Sequence, residues 1–472
     1  MGTISSALSL ISEGLNADQS ALNIVANNVA NANTTGYTKE TANFSEAQPL
    51  YINGVSYGAG VGDVTPTSVR DRVLEERLAQ QQQLASASGS RLSALDTLQA
   101  LFTPASGSSS STAGDIGSDI TGFFDSLSSL ANSGDPSSSS LRTNVLSTAS
   151  TLAGDISNAA ASLNSQRSAL DQEASGVAGQ VNALTGAIAQ LNKQIQSTSP
   201  NGDAGTLEDQ RQQDLSSLSQ LIGINQVTTE NNGLSITTTS GQLLVSEGSS
   251  YQLTTGMSGG VTHFYVGTTD VTSQLSGGGG TLGGLLTARD QDIPNAVASL
   301  DQLAYSVSTQ VNALNNQGTD LDGDNGNAGN IFAEPTQVAG SAASMSVVMT
   351  DPNHIAAAGA GEGTGDNSNA TAMANLANQS IVNGQTPTNY YSAFVTTLGS
   401  TVSGVETENT AQNASVTQLQ TQNNALSGVN ENDEASAMTT FERSYQAASQ
   451  VFTMLNTLMA SAMNLGTETT VT

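Results

Sequence analysis

The chain of 472 residues carries 40 acidic and 11 basic residues, for a formal charge of −29, and contains neither cysteine nor tryptophan. The missing cysteines exclude disulfide scaffolds, thiolate catalysis and Cys-based zinc sites, and the acidic excess opposes nucleic acid and anionic membrane partners, which need Lys and Arg against phosphate. With 11% charged and 4% aromatic residues, the composition favours long, thin helical layers over one large compact core, in a length that holds roughly two to four domains.

In the first 38 residues Ile4, Leu8, Ile11, Leu15, Leu22, Val25 and Val29 recur at alternating steps of three and four, with Asp18 in the one polar slot. The spacing predicts an amphipathic helix with a narrow apolar seam. Asn27, Asn28, Asn31 and Asn33 then compete for backbone hydrogen bonds, and Gly36 supplies a positive φ. The helix is therefore expected to end near Asn31 to Asn33 and to turn before Tyr37. Residues 38–68, with Pro49 and Pro66, read as extended structure with short β-like stretches at Pro49 to Ile52 and Val61 to Val64.

A second helix is expected from Val69 to Phe102, stopped by Pro104 and the Ser108 to Ser111 tract, and a third from Ile116 to Ala131. From Leu146 to Ile195 a three-four rhythm broken only at Arg167 predicts a helix of about 75 Å. Pro200-Asn201-Gly202 stops it, and Leu207 to Ile222 resumes as helix. The period then changes: Gln226 to Ser246 alternates around Leu234, Ile236 and Thr238 with turn signals at Asn232-Gly233 and Ser240-Gly241, and further strands are expected at Tyr251 to Thr254 and Val261 to Val266.

After the Gly277 to Gly280 tract, Leu285 to Leu314 returns to helix with Pro294 near its start, and Ser344 to Met349 reads as one more strand. A seam resumes at Tyr391 and breaks at Gly428-Val429-Asn430. A second one, out of phase with it, runs through Met438, Phe441, Tyr445, Ala448, Phe452, Leu455, Met459 and Ala462. The carboxy-terminal region is therefore two helices with a joint between them. The first and last seams share their spacing and read as partners.

Nothing in the sequence supports catalysis or a bound metal or cofactor. His263 and His354 are the only histidines, and no Gly-Lys-Ser/Thr phosphate loop is present. Gly256-Met257-Ser258-Gly259-Gly260 copies a hydrolase elbow, but strands flank it on both sides where that turn needs a strand and a helix. Asp320 to Gly326 copies the start of a calcium loop, yet Asn325 stands where Gly is required and Ile331 where a bidentate Glu is required; it reads as a polar turn. The first basic residue is Lys39 and no run of apolar residues could span a membrane, so no cleaved signal is visible.

Ala26 to Lys39 resembles the motif shared near the amino terminus by bacterial flagellar rod, hook and hook-associated proteins. Within that group, Asp119 to Leu130, Leu207 to Gly223 around Asp209-Gln210-Arg211, Gly283 to Asp292, Leu300 to Gly326, and Ser427-Gly428-Val429-Asn430 with Phe441 to Ala448 resemble the hook-associated protein 1 family, nearly end to end and in order. Thr35, Gln212 and Asn432 depart from the family's usual residues.

The resemblance implies a mainly α protein with a β-rich outer domain. Residues 1–37 and 434–472 would form a terminal helical assembly domain paired as an inner coiled coil. Residues 38–221 and 363–433 would form an elongated helical second layer, and 222–362, containing a helix at 285–315, would project outward. It implies a structural, non-enzymatic junction between hook and filament, exported without a cleaved signal peptide through the flagellar secretion apparatus. The implied partners are further copies in a ring, the hook protein on one side, hook-associated protein 3 on the other, and an export chaperone. The assembly interface expected on this reading comprises Ile4, Leu8, Ile11, Leu15, Leu22, Val25, Val29, Met438, Phe441, Tyr445, Phe452, Leu455 and Met459. Asn27, Asn28, Asn31, Asn33, Gly36 and Tyr37 would make the joint to the outer layers. Two other readings stand beside it: another axial protein of hook or distal rod, and an extracellular hydrolase or adhesin carried on the flagellum, which would need a pocket with converging acids in the β region.

Overall fold

A computed structural model describes residues 2–52, 55–102, 115–199 and 203–465. The helix stops read at Pro104, at the Ser108 to Ser111 tract and at Pro200-Asn201-Gly202 lie outside the described residues. The architecture is mainly helical. Helix α1 (Gly2–Asn31) leads through hairpin strands β1 (Glu40–Glu46) and β4 (Val61–Ser68), which enclose the small pair β2 (Leu50–Ile52) and β3 (Val55–Tyr57). Then follow α2 (Arg72–Phe102), α3 (Ile116–Ala131), α4 (Ser139–Thr198) and α5 (Thr206–Leu221). At 60 residues, α4 is about 90 Å long and forms the spine against which most other elements pack.

Two small antiparallel sheets lie on α4: β5 (Ile224–Thr228), β6 (Leu234–Thr238), β7 (Leu243–Ser246) and β8 (Ser249–Ser250) in sequence order, and β9 (Leu253–Ser258), β10 (Val261–Val266) and β11 (Thr269–Asp270). Helices α6 (Thr272–Leu275), α7 (Gly280–Thr287), α8 (Ile293–Gln317), α9 (Ser341–Ser344) and α10 (Ser368–Asn375) follow with irregular connections. The long α11 (Pro387–Ser427) and α12 (Glu431–Leu465) close the chain. No helix of the described residues is long and apolar enough to cross a membrane.

Several expectations are corrected. Helix α4 starts seven residues earlier than its first apolar repeat, because Arg142 anchors the first turn by donating from Nε to the Pro136 carbonyl (2.8 Å) and from Nη1 to the Ile355 carbonyl (2.5 Å). Ser344 to Met349 is not a strand: only Val347 bridges to Phe332, and Met345 and Met349 are buried from an irregular backbone. The strand placed at Tyr251 to Thr254 runs from Leu253 to Ser258, and the stretch read only as extended around residues 40–46 forms β1. The helix expected from Leu285 begins five residues earlier, inside the glycine tract, and reaches α8 through a π-turn at Ala288–Asp292. Glycine is required there: a Cβ on Gly284 would lie 2.2 Å from the Ala87 carbonyl oxygen, so only glycine lets α7 press onto α2.

One device recurs. A helix-borne amide side chain mimics a peptide group and bonds both the N–H and the C=O of a single residue in an incoming extended segment. Gln83 on α2 does so with Ile224 (3.0 and 3.2 Å), Asn182 on α4 with Leu253 (2.9 and 2.7 Å), and Asn312 on α8 with Phe332 (2.9 and 3.0 Å). Each clamp satisfies strand or loop backbone against a helix without using a charge. A chain rich in Asn and Gln and poor in Lys and Arg can thereby dock its non-helical parts.

The apolar core runs without a break through α2 to α11, from Ala94 to Val405, with Phe123, Leu152, Ile188, Phe264 and Val307 among its fully buried members. It contains no residue of α1 or α12. The terminal helices pack on each other instead, apart from that core.

Candidate functional site

Helix α1 ends because its own asparagines take over the backbone's work. Asn31 Nδ2 donates to the carbonyl of Asn27 (3.0 Å) and to Asn27 Oδ1 (2.8 Å), Thr34 N–H closes on the Asn31 carbonyl (2.9 Å), and Gly36 takes a left-handed φ of 81°. The turn brings the Tyr37 ring back over the last helical turn. Asn27 and Asn33 stay exposed.

Asn28, 1% exposed, is the centre of what results. Its Oδ1 accepts from the Tyr37 hydroxyl (2.8 Å) and the Glu40 N–H (3.0 Å), and its Nδ2 donates to the Glu40 carbonyl (2.7 Å) and to Glu434 Oε2 (2.9 Å). All its hydrogen-bonding capacity is used. This is the amide clamp again, here with a second chain end attached. Glu434, buried in the first turn of α12, also pairs through Oε1 with Lys39 Nζ (3.0 Å), while the Lys39 N–H donates to the Ser427 carbonyl at the end of α11 (2.8 Å). One knot therefore joins α1, the start of β1, the end of α11 and the start of α12. Burial, with Glu40 and Asp209 nearby, pushes the Tyr37 hydroxyl up to about 12 and keeps it a donor.

The knot is fixed to the helical body by charge. Thr38 N–H donates to Asp209 Oδ2 (3.1 Å), and Asp209 Oδ1 pairs with Arg70 (2.6 Å). Arg70 also faces Glu75 (3.5 Å) and Glu208 (3.8 Å), Arg72 reaches Glu208 (3.3 Å), and Arg211 donates to Asn192 (3.0 Å) and to the Asn232 carbonyl (2.8 Å). Asp203 accepts from the backbone of Ser68 and Gly205; burial alone would raise its carboxyl, but these bonds outweigh that and hold it below the usual range. Glu75 has the opposite balance: burial dominates over Arg70, and its carboxyl rises to about 7. Of the chain's 11 cations, Lys39, Arg70, Arg72 and Arg211 are spent here. Motif reasoning missed Glu40, Glu434, Arg70, Glu75, Asp203 and Glu208, which the fold gathers here from distant parts of the chain.

The seam residues take unequal positions. Val25 is buried; Ile4, Leu8, Ile11, Leu15, Leu22, Met438, Phe441, Phe452, Leu455 and Met459 are half-buried; Val29 and Tyr445 are exposed, at 40% and 39%. Among the apolar residues of α1, Ala21 is fully enclosed and Ala17 and Val25 are each 5% exposed. Phe441 also meets Phe44 of the hairpin, ring centroids 5.9 Å apart. The helix pair thus leaves much of its apolar surface uncovered.

Ser258 ends β9 and Gly259-Gly260 form its hairpin turn, with no helix to complete a nucleophile elbow. Asp320 closes the polar turn by accepting from the N–H groups of Asp322 (3.0 Å) and Asp324 (2.8 Å), and its other oxygen pairs with His354 Nδ1 (2.9 Å). His263 pairs likewise with Asp270 (2.6 Å).

Residues 107–332 match the family described as the helical domain of flagellar hook-associated protein FlgK, and residues 11–38, ending at the joint, match the flagella basal body rod protein family. The chain is 28% identical to flagellar hook-associated protein 1 of Salmonella typhimurium over 335 residues, covering 68% of this chain and 59% of that protein. Against the Bacillus subtilis protein of the same name it is 25% identical over 503 residues, covering 95% and 96%. The fold is similar, with a TM-score of 0.65 at 20% identity, to the flagellar hook junction protein FlgK from Burkholderia pseudomallei, over 75% of this chain and all of that one.

Proposed function

We propose that the chain is a member of the flagellar hook-associated protein 1 family and a structural subunit of the flagellar axis that joins hook to filament. The observation that carries the reading is the terminal helix pair: α1 and α12 pack together outside the main core, expose apolar side chains, and among the described residues meet the body through the Asn28–Glu434–Lys39 knot and the hairpin. A helix pair with such surface gains stability from neighbours in an assembly. On this reading residues 1–37 and 434–472 are the inner assembly domain. Residues 38–221 with 363–433 are the helical layer outside it, and 222–362 project from the surface. The seam residues bind further copies, with the hook protein below and hook-associated protein 3 above. Export proceeds unfolded, with a chaperone covering the apolar seams.

The test is addition of purified full-length protein to isolated hook ends lacking this layer, followed by the next junction protein and flagellin. Filament growth dependent on the added protein supports the reading. Hook ends that bind none of it, or bind it and stay barren, contradict it.

A further inference from the structure

Residues 1–38 contain no Lys or Arg, and Arg443 is the only cation of α1 and α12. It is exposed and has no ion pair among the described residues. It begins a second stripe on α12: Arg443, Ala447, Val451, Met454 and Leu458 follow one another at helical spacing, all exposed, with Met454 at 64%. The stripe is turned by about 120° from the seam that faces α1.

On the other side of the pair, α1 and the β1–β4 hairpin enclose a groove of about 320 Å³ lined by Glu13, Ala17, Ser20, Ala47, Gly62 and Asp63 among others. Ala17, Ser20, Ala47 and Gly62 in its lining leave room for a helix ridge to approach. Neither the Glu13 nor the Asp63 carboxylate meets a cation among the described residues. The Asn28–Glu434 bond fixes the two helices antiparallel, so at equal rise residues 13–20 of α1 stand level with about 442–449 of α12. The unpaired cation and the unpaired acids therefore sit at one height, on different sides of the same helix pair.

We infer that this groove receives the outer stripe of α12 from a second copy of the chain, with that copy's Arg443 between Glu13 and Asp63. Two chains of charge −29 repel at most approaches, and this is a place where their charges complement. The two surfaces differ, so the contact is head-to-tail, the kind that closes rings or winds helices. The inference rests on the assembly reading above and gives it a specific lateral contact.

Because the chain has no cysteine, Ala47→Cys and Ala447→Cys each introduce a single thiol into the full-length protein. The two variants are mixed at high concentration under mild oxidation, and are also co-produced in flagellated cells. The expected result is a disulfide heterodimer from the mixture and little dimer from either variant alone. Arg443→Glu in the Ala447→Cys chain should lower the yield about tenfold, and Glu13→Lys or Asp63→Lys in its partner should restore it. Homodimers as abundant as heterodimers, no heterodimer in either setting, or a yield indifferent to Arg443→Glu would overturn the inference. Filaments that grow normally without the cross-link would sink this contact and spare the junction reading. Cross-linked protein that never joins hook ends would do the reverse.

Discussion

Replacing Asn28 with Ala should open the joint without unfolding the body. The substitution leaves four groups without their partner: the Tyr37 hydroxyl, the Glu40 N–H, the Glu40 carbonyl and one oxygen of Glu434. A buried polar group left unsatisfied costs about 1–3 kcal/mol. Tyr37 and Glu40 are half-buried and can reach water, whereas Glu434 is enclosed and keeps only Lys39. The expected loss is therefore about 2–4 kcal/mol of local stability, which corresponds to roughly 30-fold to 1000-fold faster opening. Hydrogen exchange on the full-length protein reads this at the amides of Lys39 and Glu40, bonded respectively to Ser427 and Asn28. Amides in the middle of α4, far from the joint, should keep their rates. A change below about threefold at Lys39 and Glu40 would mean that the clamp does not hold the joint.

Three further outcomes follow from the same structure. Gln83→Leu removes the two-point clamp on Ile224 and should lower stability by about 1–3 kcal/mol in denaturant unfolding, with the loss concentrated in exchange at β5 and β6. Gly284→Ala sets a methyl against the Ala87 carbonyl and should cost about 3 kcal/mol, visible as a lowered Tm; an unchanged Tm would show that α7 can retreat from α2. For pH, burial lifts Glu75 to about 7, and burial with a hydrogen bond to Asp155 lifts Asp119 to about 7, both above their unfolded values near 4. Their contribution is complete below the unfolded pKa and is lost as pH rises through about 7. Stability should therefore decline between about pH 4 and pH 7 and level off above that, and the Glu75→Gln variant should flatten part of that decline.

Much of the helical frame was legible because period and breakers act locally. Ile116 to Ala131 was bounded by its own apolar face, and α1 by its asparagines and Gly36. The strand at Ser344 to Met349 was misread because apolar spacing alone does not supply a ladder partner, and none exists beyond Val347. β1 was read only as extended for the opposite reason: only its start is partly buried, so it carries no alternation, and its partner β4 defines it. The joint was half legible. The Asn-rich run gave Asn28 and Tyr37 as candidates, but Glu434, 406 positions away from Asn28, is tied to it by tertiary packing that no local pattern encodes. The amide clamps share this property, since a polar Gln83 or Asn182 on a helix reads as solvated until the fold lays a strand against it.

The central claim is that the terminal helix pair is completed by assembly and pinned to the body at Asn28. Hydrogen exchange along α1, compared between dilute monomer and protein bound at hook ends, tests it most directly. The account predicts that in the monomer protection falls steadily from Asn28 toward Ile4, and that on hook ends it becomes uniformly high across Ile4 to Val29. Protection across Ile4 to Val25 in the dilute monomer equal to that of α4, and unchanged on assembly, would contradict it.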